Sequence, residues 1–158
     1  MTTLDELFAA HYVALVRLAV QLVDDPESAE DVVQDVFAAV NPSRLDDPLR
    51  YLRTAVVNRS RSVLRRRRTV RAFAGRARPM ELVEPADSGT VRTDERVRVL
   101  AAIDALPRRQ REAVVLRYYE DLAVGEIARI LGTTPPAVSS ALTRALDTLA
   151  VTLGGDDD

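Results

Sequence analysis

The chain has no cysteine and no lysine, and its only histidine is His11. Without thiols there can be no disulfide and no thiolate metal ligand, and a lone imidazole has no partner for a metal or acid-base site. Structural zinc and Cys/His chemistry are excluded, and no cofactor is expected. No paired carboxylates, nucleophile-base pair or phosphate-cradling glycine loop emerges either, so an enzyme is the least favoured class. No apolar run is expected to reach the roughly 20 residues that span a bilayer. The amino terminus lacks a basic stretch followed by a hydrophobic one, so secretion is not indicated and the cytoplasm is the expected compartment.

The 158 residues are 47% hydrophobic, too apolar for a disordered chain and enough for one moderate core or two small ones. The near-neutral net charge of −2 hides a partition. Residues 1–48 hold 2 arginines against 10 acids, whereas residues 49–78 hold 11 arginines and no acid. An acidic block followed by a basic one points to separate surfaces for two partners, one of them polyanionic. All 22 basic residues are arginine, which fits either a GC-rich genome or selection for bidentate phosphate and base contacts.

Helical periodicity dominates. Thr3 and Glu6 form a capping-box pattern ahead of Leu4, Leu7, Phe8, Leu15, Leu18, Ala19 and Leu22, spaced by threes and fours. Asp25-Pro26 supplies an N-cap and first turn for a second helix, with Ala29, Val32, Val33, Val36, Phe37 and Val40 inward and Glu27, Glu30, Asp31, Gln34 and Asp35 outward. Asp47-Pro48 repeats the signal for a third helix, with Leu49, Leu52, Val56 and Val63 inside. Its outer face is expected to carry Arg50, Arg53, Asn58, Arg59, Ser60, Arg61, Ser62 and the Arg65–Arg68 run. From about Arg76 to Thr93 the periodicity lapses among prolines, Gly89 and acids, as in an exposed linker. Helical patterns resume with Val97, Leu100, Ile103 and Leu106, restart at Pro107 through about Tyr119, and continue over Val124–Leu131 and Thr134 to about Leu153. The tail Gly154–Asp158 reads as solubilising sequence.

Around Gly132 the residues suit a helix-turn-helix. Ala128 is small where a second helix crosses, Gly132 can take positive φ in the turn, and Val138 anchors the second helix. Thr134 is the expected cap, Pro135 the first turn, and Val138, Leu142, Leu146 and Leu149 the buried face. Pro136, Ala137, Ser140, Thr143 and Arg144 are left outward, towards a major groove if DNA is present. An ordinary αα-corner in a bundle is the plain alternative. Guanidinium groups and Asn58 on the third helix suit phosphates and base edges, although arginines at a helix end also complement its dipole. Tyr118 and Tyr119 are expected at core and rim, and His11 in a packing or capping role.

Taken together, these motifs resemble a known family. Ala29-Glu30-Asp31-Val32-Val33-Gln34-Asp35-Val36-Phe37 looks like the polymerase-binding signature of σ factor region 2, and Tyr51 to Asn58 with the arginines after it like the promoter-melting helix. Leu106 to Tyr118 and Asp121 to Gly132 resemble region 4. The resemblance, to the extracytoplasmic-function (ECF) subfamily of the sigma-70 family, implies an all-α protein. It would have a three-helix region 2 over 1–75, a flexible linker over 76–93, a four-helix region 4 over 94–153 and the tail 154–158. It further implies that Glu30, Asp31, Gln34, Asp35 and Phe37 belong to the helix that docks on the β′ clamp helices of bacterial RNA polymerase core, Phe37 more as core than contact. Region 4 would meet the β flap. Asn58, Arg59, Arg61, Ser62, Arg65 and Arg66 would engage the minus-ten element of promoter DNA. Arg108, Arg109, Pro136, Ala137, Ser139, Ser140, Thr143 and Arg144 would engage the minus-thirty-five element, with Arg111 as support. An anti-σ factor is a further implied partner.

The sequence departs from the family in two places. The segment Ala38–Pro48 is short and lacks the usual tryptophan, and the recognition helix lacks the usual basic residues near Ser139 and Ala141. The alternatives are a conventional helix-turn-helix regulator that binds operators without polymerase, and a degenerate σ-like interaction protein.

Overall fold

The computed structural model describes residues 3–74 and 93–154. Every regular element among them is helical, and the chain divides into two units, Met1–Met80 and Glu81–Asp158. The expected linker lies outside the described residues except for Thr93, which opens a helix, and so does the tail beyond Gly154.

In the first unit α1 (Leu4–Val23), α2 (Pro26–Ala39) and α3 (Pro48–Ala74) pack pairwise. The capping box at Thr3 forms in both directions. Helix α1 ends at Asp24 in the left-handed region (φ 71°), and Asp25 at once caps α2 by accepting the Ser28 N–H at 2.7 Å. Aspartate tolerates that backbone geometry better than most residues, so the chain reverses within two residues and α1 and α2 become neighbours. Helix α3 starts as expected, Asp47 accepting the Arg50 N–H. The inward set of α2 is buried in full, against Leu15, Leu18 and Leu22 of α1 and Leu52, Val56 and Val57 of α3. Two residues of the expected α1 stripe, Leu4 and Phe8, are exposed instead. Phe8 stacks on Tyr12 at 4.4 Å and meets the edge of Phe37 at 5.2 Å.

One helix departs from the expectation that no apolar run reaches the length of a bilayer. By length and composition Leu4–Val23 is apolar enough to cross a bilayer. In the fold its leucine stripe is instead the surface on which α2 and α3 close, so a core helix accounts for the same composition.

Ser60, expected on the outer face of α3, is buried, and its hydroxyl has no hydrogen-bond partner among the described residues. An unpaired buried hydroxyl forfeits its hydration without compensation. Ser60→Ala is therefore expected to raise the stability of this unit by about 1 kcal/mol, read as a higher urea midpoint at unchanged slope; a lower midpoint would contradict it.

In the second unit α4 (Thr93–Asp104), α5 (Arg108–Val114) and α6 (Val124–Leu131) surround α7 (Pro135–Gly154). The helix expected to run from Pro107 to Tyr119 changes character at Val115, where a π turn (Val115–Tyr119) takes over. The Glu120 N–H reaches back five residues to Val115 O, and the Arg117 guanidinium ties down Leu122 O at 2.9 Å. Tyr118 and Tyr119 on this turn are exposed, Tyr118 to 60%, so neither is the expected core residue.

Helix α7 buries Val138, Ala141, Leu142 and Ala145, while Leu146 is 44% exposed. The inward face is thus rotated by about one residue from the expected Val138, Leu142, Leu146, Leu149 stripe. Alanines at 141 and 145 put little bulk between α7 and the helices it crosses, and a leucine there would hold them apart.

Candidate functional site

Two surfaces carry the residues singled out from the sequence. On the first unit, Glu30, Asp31, Gln34 and Asp35 are all exposed on the outer side of α2, because the i, i+3, i+4 spacing that buries Val32, Val33 and Val36 leaves these positions outside. Phe37 is not part of that surface: it is 5% exposed and locked among Phe8 and Tyr12, so it acts as core rather than contact.

On α3, Asn58, Arg59, Ser62, Arg65 and Arg66 are exposed and Arg61 is half-buried. The Arg61 guanidinium lies 3.4 Å from Asn58 Oδ1 as a donor, and the Ser62 hydroxyl donates to Asn58 O at 3.3 Å. The acidic and basic faces meet along a groove between α2 and α3 that is lined by Asp31, Asp35, Arg59, Ser62 and Arg66, with Val32 and Val63 also in its wall. Asp35 and Arg59 bridge that groove, Arg59 donating through Nε at 3.2 Å and through its terminal nitrogen at 2.8 Å to one carboxylate oxygen. The sequence assigned these two residues to different partners; in the folded chain they hold each other.

Arg67 is distinct from the arginines around it. Its guanidinium donates to Val23 O at 2.8 Å, to the Asp25 carboxylate and to the Ser28 hydroxyl. It thereby satisfies a carbonyl left open at the end of α1 and clamps the α1–α2 corner onto α3. Burial alone would push the Asp25 carboxyl up; the Ser28 N–H, the Arg67 guanidinium and the Ser28 hydroxyl outweigh it and hold the group below the ordinary aspartate value. Arg67 is therefore committed to the fold, whereas Arg65, Arg66 and Arg68 stay exposed.

On the second unit the helix-turn-helix forms as expected. Gly132 takes φ 67° at the end of α6, Ala128 and Val138 are buried at the crossing, and Thr134 caps α7 by accepting the Ala137 N–H at 3.3 Å. The positive φ is what requires glycine at 132, since a Cβ there would meet no neighbour. Pro136, Ala137, Ser139, Ser140, Thr143 and Arg144 are all exposed along α7, and Arg108 and Arg109 at the start of α5. Arg111 is 9% exposed and cannot serve as the supporting phosphate contact expected of it. Among the described residues no cluster of His, Asp and Glu could hold a metal.

Comparison with known proteins covers both units. Residues 7–70 match the family model described as Sigma-70 region 2, and residues 96–149 match Sigma-70, region 4. The RNA polymerase sigma-E factor of Streptomyces coelicolor is 32% identical over 147 residues, covering 84% of this chain and 76% of that protein. The ECF RNA polymerase sigma factor SigM of Mycobacterium tuberculosis is 32% identical over 155 residues, covering 95% and 76% respectively. Among solved structures, CnrH in complex with the cytosolic domain of CnrY is similar with a TM-score of 0.68 at 26% identity, over 98% of this chain and 89% of that one. The fold is also that of the sigma factor RpoE solved with the anti-sigma factor NepR from Bartonella quintana, at a TM-score of 0.74 and 24% identity over 96% of this chain and 97% of that one. The chain belongs to the ECF sigma factors of the sigma-70 family.

Proposed function

We propose that the chain binds bacterial RNA polymerase core and promoter DNA at once, its first unit (1–75) docking on the β′ clamp helices through the acidic face of α2 and engaging the minus-ten element through α3. The second unit (94–153) reads the minus-thirty-five element through α7, with Arg108 and Arg109 on flanking phosphates, and meets the β flap, while residues 76–93 tether the two. The observation that carries this reading is one three-helix unit that turns four polar or acidic side chains outward on α2 and a row of arginines outward on the adjoining α3. An acidic face suits a protein partner and repels DNA; the basic face does the reverse. Two tethered DNA readers on one polymerase raise each other's effective concentration, and the polymerase supplies the chemistry, the chain none. The expected compartment is the cytoplasm, without membrane insertion. An inhibitory protein, the kind of partner with which RpoE was solved, is a further expected partner.

The test is transcription in vitro with purified core polymerase, this chain and a pool of genomic promoter fragments. Glu30→Arg/Asp31→Arg is the variant of choice because it reverses the α2 face while leaving the Asp35–Arg59 pair intact. Factor-dependent transcripts are expected to fall by about tenfold or more, since like charges across an interface cost several kcal/mol. Undiminished transcription would remove α2 from the interface. Tight DNA binding by the chain alone, with no transcripts from the pool, would favour a conventional regulator.

A further inference from the structure

We infer that α7 recognises its DNA element chiefly through the 5-methyl groups of thymines, with Arg144 making one guanidinium contact to a guanine about three to four base pairs away. The inference deepens the proposed function and rests on it.

Three observations carry it. The first is the exposed stripe itself. Pro136, Ala137, Ser140, Thr143 and Arg144 follow at i, i+1, i+4, i+7 and i+8, so they share one face, roughly opposite the buried Val138, Ala141, Leu142 and Ala145. At 1.5 Å per residue the eight steps from Pro136 to Arg144 run about 12 Å, the rise of three to four base pairs.

The second is what that face can offer a base edge. Bidentate readers of guanine, adenine and cytosine are Arg or Lys, Asn or Gln, and Asp or Glu; on this stripe only Arg144 belongs to that set. Pro136 and Ala137 present hydrocarbon alone. The Thr143 hydroxyl proton is spent on Ser139 O at 3.0 Å, leaving its methyl and an acceptor lone pair to turn outward. Hydrocarbon of this kind matches the thymine methyl, the one apolar feature of the major-groove edge.

The third is the start of the helix. A helix amino terminus ordinarily grips a phosphate with its open N–H groups. Here Pro135 and Pro136 have none, the Ala137 N–H is taken by Thr134 Oγ1, and the Val138 N–H by Thr134 O at 3.1 Å. The phosphate-binding device is removed by sequence, so α7 has less electrostatic grip and leans on apolar contact with the bases.

The ligand is thus a B-form duplex with consecutive A·T pairs under the amino-terminal half of the stripe and a G·C pair under Arg144. The experiment changes the DNA rather than the protein, so folding is not at issue. Holoenzyme is assembled from core polymerase and the full chain, and binding is measured on a genomic fragment from which it initiates. Thymines in the upstream element are replaced one at a time by deoxyuridine, and guanines by 7-deazaguanine. Each methyl removed under the stripe is expected to weaken binding about fourfold, the cost of unburying one methyl. One deazaguanine is expected to weaken binding by wild type but not by Arg144→Ala. Equal binding of thymine and deoxyuridine duplexes on a fragment that initiates would overturn this inference alone. Failure to initiate from any fragment would overturn the proposed function and the inference with it.

Discussion

Arg67→Ala is expected to destabilise the first unit by about 2–3 kcal/mol, the largest loss to be had from any single arginine of the chain's basic run. One guanidinium serves three acceptors, Val23 O, the Asp25 carboxylate and the Ser28 hydroxyl. Arg67 and Asp25 are each only about a third exposed (31% and 32%), so water replaces these bonds poorly. The loss should also change the response to acid. In the wild-type fold the Asp25 carboxyl sits below its ordinary value of 3.8. Its charged form is the one the fold favours. That contribution is complete above the unfolded value and fades as pH falls through the lower, folded one. Without Arg67, the burial that pushes the carboxyl up is less opposed, the folded value moves back towards the unfolded one, and the acid-sensitive share of the stability that Asp25 contributes should shrink. Native-state hydrogen exchange on the full chain reads both effects, because it follows the amides of α1 and α2 apart from those of the second unit. Exchange faster by roughly thirtyfold to 140-fold at neutral pH, the equivalent of 2–3 kcal/mol, is expected, with the difference from wild type narrowing as pH falls through the folded Asp25 value. Arg68→Ala, which removes an exposed neighbour, should do neither. If both variants behave alike, Arg67 is no clamp.

That clamp shows where sequence reasoning stops. The helix starts were legible because their signals are local: Thr3 with Glu6, Asp25-Pro26, Asp47-Pro48 and Thr134-Pro135 each carry the cap and the first turn within four residues. The outer faces of α2 and α7 followed from periodicity: every residue assigned to them is exposed, and Phe37, placed on the inward side, is buried. Arg67, by contrast, looks identical to Arg65, Arg66 and Arg68 in composition. Its phase separates it: Leu52, Val56, Ser60, Val63 and Arg67 are spaced by fours and threes, a single stripe that continues from core leucine to buried serine to clamp. Followed to its end, that stripe identifies both Ser60 and Arg67 as inward. Other features had no such signal. The π turn at Val115–Tyr119 is one, since nothing in Val-Leu-Arg-Tyr-Tyr distinguishes it from helix. The meeting of Asp35 with Arg59, 24 residues apart, is a product of how α2 lies on α3.

The Asp35–Arg59 pair offers a way to separate a residue's role in the fold from its role at an interface. Both partners are about half exposed (54% and 47%), so the bridge contributes at most about 1 kcal/mol to stability. Asp35→Arg alone sets two guanidiniums against each other and should cost about that much. Exchanging the two, Asp35→Arg with Arg59→Asp, restores an ion pair across the same groove and should bring stability back to within about 0.5 kcal/mol of wild type. Transcription should not return with it. The exchange puts a positive charge into the α2 face proposed for polymerase and a negative charge into the α3 face proposed for DNA. Repulsion at such contacts costs several kcal/mol, and factor-dependent transcripts are expected to stay down by about tenfold or more. Thermal unfolding and transcription in vitro on the same preparations give the two readouts. If the exchanged variant is as active as it is stable, Asp35 and Arg59 serve only each other, and the polymerase contact must lie with Glu30, Asp31 and Gln34. Stable but inactive protein would mean that the bridge is held in the free factor and exchanged for partner contacts when polymerase and promoter arrive, each residue giving up the other for the surface it was turned towards.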